Sequence, residues 1–375
     1  MLPASARSRS RPSSSAADAL RLPGCVSGER PSIHARPAFK KGISLAFLDR
    51  HWYRLSWLSI LLLPLAAVFG CVVALRRTLY RTGALPSYRV PVPVIVVGNI
   101  TAGGTGKTPL VLWLCEFLRE QGYAPGIVSR GYGGRGDTMA VSHDSAPAIA
   151  GDEPVLLAQR SRCPVWIGRD RVAAARALIA ANPGCNVILS DDGLQHYRLQ
   201  RDFEIAVIDG SRGSGNGLPL PAGPLRESAR RLAEVNAIVV TGSSHSSAAN
   251  LPTFTMELEG SAFRNLLNPA FHQEASAFRG KRIVAVAGIG NPARFFDHLQ
   301  RLGLSFAAHA FADHHAYIQA DLEFSDADAI VMTEKDGIKC LRFARENHWV
   351  LPVNARVDMA LGRLILEKMK TRHGS

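Results

Sequence analysis

Gly103, Gly104, Gly106, Lys107 and Thr108 are the residues of this chain whose types and spacing carry the plainest chemistry. Glycines let backbone N–H groups converge on phosphate oxygens, a lysine adds a point charge, and a threonine hydroxyl is a Mg²⁺ ligand. The β-branched run Val94-Ile95-Val96-Val97 precedes them and the apolar pattern Leu110-Val111-Leu112-Trp113-Leu114 follows. Strand, glycine loop and helix is the order a phosphate-cradling site needs, with the helix N-terminus adding its positive end. One position departs from G-x-x-x-x-G-K-[ST], since Thr101 stands where the first glycine belongs. Thr101, Ala102, Gly103, Gly104, Thr105, Gly106, Lys107 and Thr108 are therefore expected to bind a nucleoside triphosphate.

Further groups bring carboxylates and histidines. Asn186-Val187-Ile188-Leu189-Ser190 runs into Asp191-Asp192. An apolar strand ending in carboxylates is what a Mg²⁺-nucleotide site places opposite its glycine loop, to hold the metal or its waters. Gly151-Asp152-Glu153-Pro154 opens a helical pattern. Alone it reads as a helix N-terminus, where Asp, Glu and Pro are all favoured. The adjacent His314 and His315 lack further ligands at helical spacing, so one of them suits hydrogen bonding or acid–base work better than a metal. Thr333-Glu334-Lys335-Asp336 has its lysine one place too late for guanine recognition, which disfavours GTP.

The elements that must position these groups alternate between strand and helix, which means a mostly parallel α/β sheet with its site at the carboxyl ends of the strands. A P-loop NTPase-like domain is expected over residues 86–250 and a second, smaller α/β domain over 251–358, followed by a C-terminal helix and tail over 359–375. In the second domain the turn Gly288-Ile289-Gly290 resembles a dinucleotide fingerprint, but no third glycine falls in register and Pro292 starts a helix. It reads as a tight turn.

At 375 residues, 47% apolar and 20% charged, the chain has ample material for such cores. The formal charge of +13 suits a membrane surface, a phosphorylated substrate or nucleic acid. Nucleic acid is disfavoured, because much of the excess lies at the N-terminus and no aromatics interleave with it. The six cysteines lie far apart without a C-x-x-C, which argues against a disulfide framework or a zinc site. Residues 1–43, rich in Ser, Arg, Pro and Ala, read as a disordered basic tail. Residues 44–85 read as a membrane-associating helical segment, because 55–75 carry no charge and Arg54, Arg76, Arg77 and Arg81 flank them. A spanning helix, an interfacial helix and a buried core helix all remain open, with Pro64 interrupting the run. Basic residues on both sides favour attachment to an anionic cytoplasmic leaflet.

Together these stretches resemble the tetraacyldisaccharide 4′-kinase family, which phosphorylates the lipid A precursor in Gram-negative bacteria. The resemblance rests on residues 98–109, 129–134, 151–154, 190–196, 221–227, 313–317 and 333–336, in family order, and it makes Thr101 the family's own form of the loop. It implies a kinase using ATP and Mg²⁺ at the cytoplasmic face of the inner membrane. That kinase moves the γ-phosphate to the 4′-hydroxyl of tetraacyldisaccharide 1-phosphate, and its partners are this lipid and the membrane, with no obligate protein partner. It implies Lys107 on the β/γ-phosphates, with Thr108, Glu153, Asp191 and Asp192 holding or orienting Mg²⁺. Asp152 becomes the base, His314 its partner from the second domain, and Arg171 and Arg226 the phosphate clamps. The rival reading is a membrane-associated P-loop ATPase or nucleotide switch acting on something else.

Overall fold

Apolar runs that are buried on both faces become parallel strands, and this chain has several. The computed structural model describes residues 51–131, 137–242 and 251–373. The tail expected over 1–43 and residues 132–134 of the second glycine-rich stretch lie outside them. A first sheet is built from β1 (Val94–Gly98), β2 (Pro125–Ser129), β3 (Met139–Val141), β4 (Val165–Ile167), β5 (Val187–Asp191), β6 (Phe203–Asp209), β7 (Ala237–Thr241) and β8 (Thr253–Glu259). A second contains β9 (Ala262–Asn265), β10 (His272–Glu274), β11 (Ile283–Ala287), β12 (Phe306–Ala310), β13 (Ala329–Thr333) and β14 (His348–Leu351). The last strand, β15 (Asn354–Val357), returns to the first sheet, whose order is β15-β8-β7-β6-β1-β5-β2-β4-β3. The second sheet runs β10-β9-β14-β13-β11-β12.

β1 shows how the first sheet is layered. Ile95 and Val97 face a core with Leu110 and Leu114 of helix Lys107–Glu120, while Val94 and Val96 face the opposite core with Val172 and Leu178 of helix Arg171–Ala181. β5 pairs with β1 in parallel so that Asp191 lies beside Val97, which brings the paired aspartates level with the start of the glycine loop. Gly98 ends β1 because a Cβ there would stand 2.7 Å from Leu194 Cγ, inside the turn that follows Asp192.

Of residues 251–358, expected as one domain, only 262–351 build the second sheet. β8 and β15 pair antiparallel with each other, and β8 continues the first sheet beside β7. The C-terminal helix Met359–His373 also joins the first domain, burying Leu361, Ile365 and Met369 with Leu114 and Phe117. An amphipathic helix buries its apolar stripe, and here the stripe is buried in the core beneath helix Lys107–Glu120 of the first sheet.

At the other end, helix Leu63–Arg81 is long and apolar enough to cross a membrane, yet little of it is buried. The apolar run is divided at Leu62, as Pro64 suggests: a short helix Trp57–Leu61 ends there, and Pro64 sits in the first turn of the longer one. One stripe docks: Ala66 is buried, Gly70 faces Pro219, Arg77 pairs with Glu234, and the Tyr80 and Tyr197 rings lie 5.9 Å apart. Opposite it Leu65, Val68, Val72 and Leu75 are exposed, which excludes the buried-core reading of this segment.

Candidate active site

The glycine loop turns through positive φ at Gly103 and at Gly106, the residue before the helix that Lys107 and Thr108 begin. Its early part is tied to the loop that ends in Leu225-Arg226-Glu227: Ala102 N donates to Pro224 O at 2.8 Å and Arg226 N to Ile100 O at 2.7 Å. Its later part is tied to β7, where Thr241 Oγ1 donates to Thr105 O at 2.7 Å. Lys107 is held at 3.3 Å from Asn99 Oδ1 and 3.3 Å from Asp192 Oδ1. Arg226 Nη1 donates to both oxygens of Asp192, at 3.2 and 3.0 Å. Burial works against charge on Asp192, but Lys107 and Arg226 outweigh it and hold the carboxyl well below the usual range. Asp191 goes the other way. Burial, with Glu153 and Asp192 nearby, pushes it up to about 7 against the pull of Lys107 and Arg171. Its Oδ2 accepts from Ser129 Oγ at 3.2 Å, while Oδ1 is buried without a hydrogen-bond partner.

Asp152 starts the helix Asp152–Ser161, as its sequence context suggests, and Oδ1 accepts from Glu153 N. It is also only 6% exposed and looks across to the second sheet. There His314 Nδ1 lies 3.2 Å from both carboxylate oxygens. His314 adopts φ of 59°, a left-handed conformation uncommon for a side chain of this size, with its N–H donating to Asp313 Oδ1. His315 is engaged elsewhere, bonded to Asp321 and stacked on Phe311, so the two adjacent histidines divide into one site residue and one packing residue.

Two lysines complete this cluster, and sequence reasoning missed both. Helix Glu334–Cys340, capped by Thr333, points Lys335 at Glu153 (2.9 Å), Asp313 (3.3 Å), His314 Nε2 (3.5 Å) and Asp152 (3.9 Å). Lys339 lies 3.9 Å from Asp152 and 3.0 Å from the buried Asp336. Burial opposes ionisation of Asp152, but His314, Lys335 and Lys339 hold it at about 2. Burial likewise opposes charge on His314, and the hydrogen bond to Asp152 prevails and raises it. The available signal was a pair of lysines one helical turn apart, directly after a parallel strand, where sites form.

The two sheets meet over the glycine loop. Gly290 backs onto it so closely that a Cβ there would stand 2.1 Å from Gly104 N, which accounts for the glycine in that tight turn. Asn291 Nδ2 donates to Asp209 Oδ2 at 2.9 Å, Arg294 pairs with the same carboxylate, and Arg212 Nη1 donates to Gly290 O at 2.6 Å. These contacts, too, were not foreseen. Arg171, expected to clamp a phosphate, is 2% exposed and donates to the main-chain oxygen of Asp191 at 2.9 Å, so it props the strand end from behind. Arg226, the other arginine expected to clamp a phosphate, is tied to the glycine loop through its backbone and to Asp192 through its side chain. Thr108 is half-buried in the first turn of its helix.

Comparison with known proteins gives this geometry a context. The family model described as tetraacyldisaccharide-1-P 4′-kinase matches residues 58–370. A protein of Methylobacillus flagellatus named tetraacyldisaccharide 4′-kinase is 48% identical over 324 residues, spanning 86% of this chain and 96% of that protein. One of the same name from Aromatoleum aromaticum is 50% identical over 324 residues, spanning 85% and 96%. The crystal structure of LpxK from Aquifex aeolicus, in complex with ATP, superposes with a TM-score of 0.71 at 29% identity, covering 83% of this chain and 99% of that one.

Proposed function

Because the chain belongs to the tetraacyldisaccharide-1-P 4′-kinase family, we propose that its two sheets divide one phosphoryl transfer between them. The protein is an ATP-dependent kinase that transfers the γ-phosphate to the 4′-hydroxyl of tetraacyldisaccharide 1-phosphate in lipid A biosynthesis. Such a transfer asks the protein for positioning and charge neutralisation more than for covalent help. The first sheet supplies the glycine loop and Lys107 for the triphosphate, with Arg226 beside them. The second supplies His314, which orients Asp152, the base that takes the hydroxyl proton. A carboxylate held at about 2 is ionised at every physiological pH. A loose, metaphosphate-like transition state asks for little covalent chemistry, and so for positioning of the hydroxyl more than for a strong base. The contact between Asp152 and His314 is the observation that carries this reading.

The donor set fits Mg²⁺. The partnerless oxygen of Asp191, with Glu153 and Asp192 close enough to push its carboxyl up, describes a place short of one cation. Mg²⁺ in such sites takes one or two carboxylates and completes its shell with waters and phosphate oxygens. Asp191 and Thr108 would hold it, with Asp192 and Glu153 orienting its waters, and it would neutralise charge on the β- and γ-phosphates. Purified protein with ATP, Mg²⁺ and the disaccharide 1-phosphate in detergent should yield the lipid with one added phosphate. ATP hydrolysis indifferent to the lipid would favour the nucleotide switch instead.

The dyad makes its own prediction. His314→Ala should lower kcat by roughly 10- to 100-fold, a fraction of what general-base catalysis contributes. Adding it to Asp152→Asn should cost almost nothing more, since the two act as a unit. Additive losses in steady-state kinetics would undo the pairing.

The exposed face of helix Leu63–Arg81 supports attachment to the cytoplasmic face of the inner membrane, where a tetraacylated substrate is held at about 0.8 kcal/mol per buried CH₂. A Val68→Asp, Val72→Asp variant should lose most of its binding to anionic vesicles in flotation assays. Its turnover of detergent-dispersed substrate should be unchanged. Undiminished flotation would assign membrane contact to another surface.

A further inference from the structure

We propose that Arg212 is an arginine finger supplied in cis, a catalytic residue that neutralises charge on the transferring phosphoryl group. This deepens the kinase reading above and rests on it. Arg212 leaves the carboxyl end of β6, the strand next to β1, and β6 runs beyond Gly98 in the pairing register. Its base is fixed. Asp209 closes the turn by accepting through Oδ1 from Ser211 N (3.0 Å) and Ser211 Oγ (2.7 Å), and its main-chain oxygen accepts from Arg212 N (3.2 Å) and Gly213 N (2.7 Å). The other carboxylate oxygen is taken by Asn291 and Arg294 of the second sheet. Burial works against that carboxylate's charge, and Arg294 with the hydrogen bonds overcomes it.

The guanidinium is carried over the glycine loop. Nη1 lies 3.8 Å from where a Cβ on Gly103 would be, and the group stands 5.0 Å over the Tyr53 ring. With Tyr53, Asp209 and residues 101–105 it lines a cavity of about 10 Å³, too small for a phosphoryl group. A phosphate entering there must displace the Gly290 carbonyl, to which Nη1 donates at 2.6 Å. That exchange is favourable, because it replaces a neutral acceptor with a charged one and lets a planar fork bind two oxygens. As the bond from the sugar oxygen to phosphorus forms and the bond from phosphorus to the leaving oxygen of ADP breaks, the proton passes to Asp152. The negative charge spread over the equatorial and leaving oxygens is what a guanidinium at this position would offset.

The alternative is that Arg212 only pins Tyr53 and Gly290 to the loop. Binding of ADP and of ADP with aluminium fluoride, both with Mg²⁺, separates the two by calorimetry, since the fluoride complex mimics the planar phosphoryl group. Arg212→Gln and Arg212→Lys should each leave ADP affinity within about 3-fold and weaken the aluminium fluoride complex by at least about 100-fold. Their kcat should fall by about 10³-fold, the low end for arginine fingers, with little change in the KM for ATP. Equal weakening of both complexes, or an unchanged kcat, would overturn the proposal. Arg212→Lys keeps a cation that can still reach a carbonyl, so it covers the case in which the glutamine variant fails to fold. A fully active Asp152→Asn enzyme would remove the base assignment, while the aluminium fluoride result would still stand on its own.

Discussion

Lys107→Ala should bring turnover down by at least about 10³-fold, the scale on which a preorganised charge at a developing anion is felt. The lysine is aimed before any nucleotide arrives: Asn99 and Asp192 fix its ammonium, and its side chain is 10% exposed. It is therefore a charge that needs no reorganisation during the reaction. Folding should survive the change, because Asp192 keeps Arg226 as a partner. Single-turnover assays beside a thermal melt check both halves, and near-normal rates in the folded variant would refute the nucleotide site.

Asp152→Asn is expected to lower kcat by about 10²- to 10⁴-fold with a modest change in the KM for ATP. Asparagine keeps the shape and an acceptor for His314 but cannot take a proton. If ATP binding collapses instead, Asp152 serves a metal and the base lies elsewhere. The substitution should also cost stability. A carboxyl brought from 3.8 in the unfolded chain to about 2 in the folded one contributes roughly 2 kcal/mol. That contribution is fully present above 3.8 and is lost as the pH falls through about 2. Denaturant titrations at neutral pH should show the deficit, so kcat must be measured where both proteins are folded.

The nucleotide half of the site was legible in the sequence because it is local. Glycine loop, lysine and threonine are consecutive, and the Asp191-Asp192 pair announces itself at the end of an apolar strand. The catalytic half is assembled across the two sheets, and nothing in a linear pattern shows that Lys335, His314 and Asp152 converge. Asp152 looks like a helix start because it is one, and only its burial against His314 adds the second role. Family resemblance supplied that pairing, whereas the residue pattern alone did not. The inward position of Arg171 was not legible either: it opens its helix but is 2% exposed and donates to the main-chain oxygen of Asp191. The membership of β8 and β15 in the first sheet was not legible because they are separated by more than ninety residues yet pair side by side.

That pairing has a consequence for how the protein can be taken apart. Glu259 and Asn354 are cross-strand partners, so the whole second sheet enters and leaves through one narrow doorway at the rim of the first. Topologically it is a guest within a host chain, and a hairpin turn would seal the doorway if the guest were absent. The glycine loop, Lys107, the Asp191-Asp192 pair and Asp152 thus all belong to the host, and the guest adds His314 and Lys335 across from them.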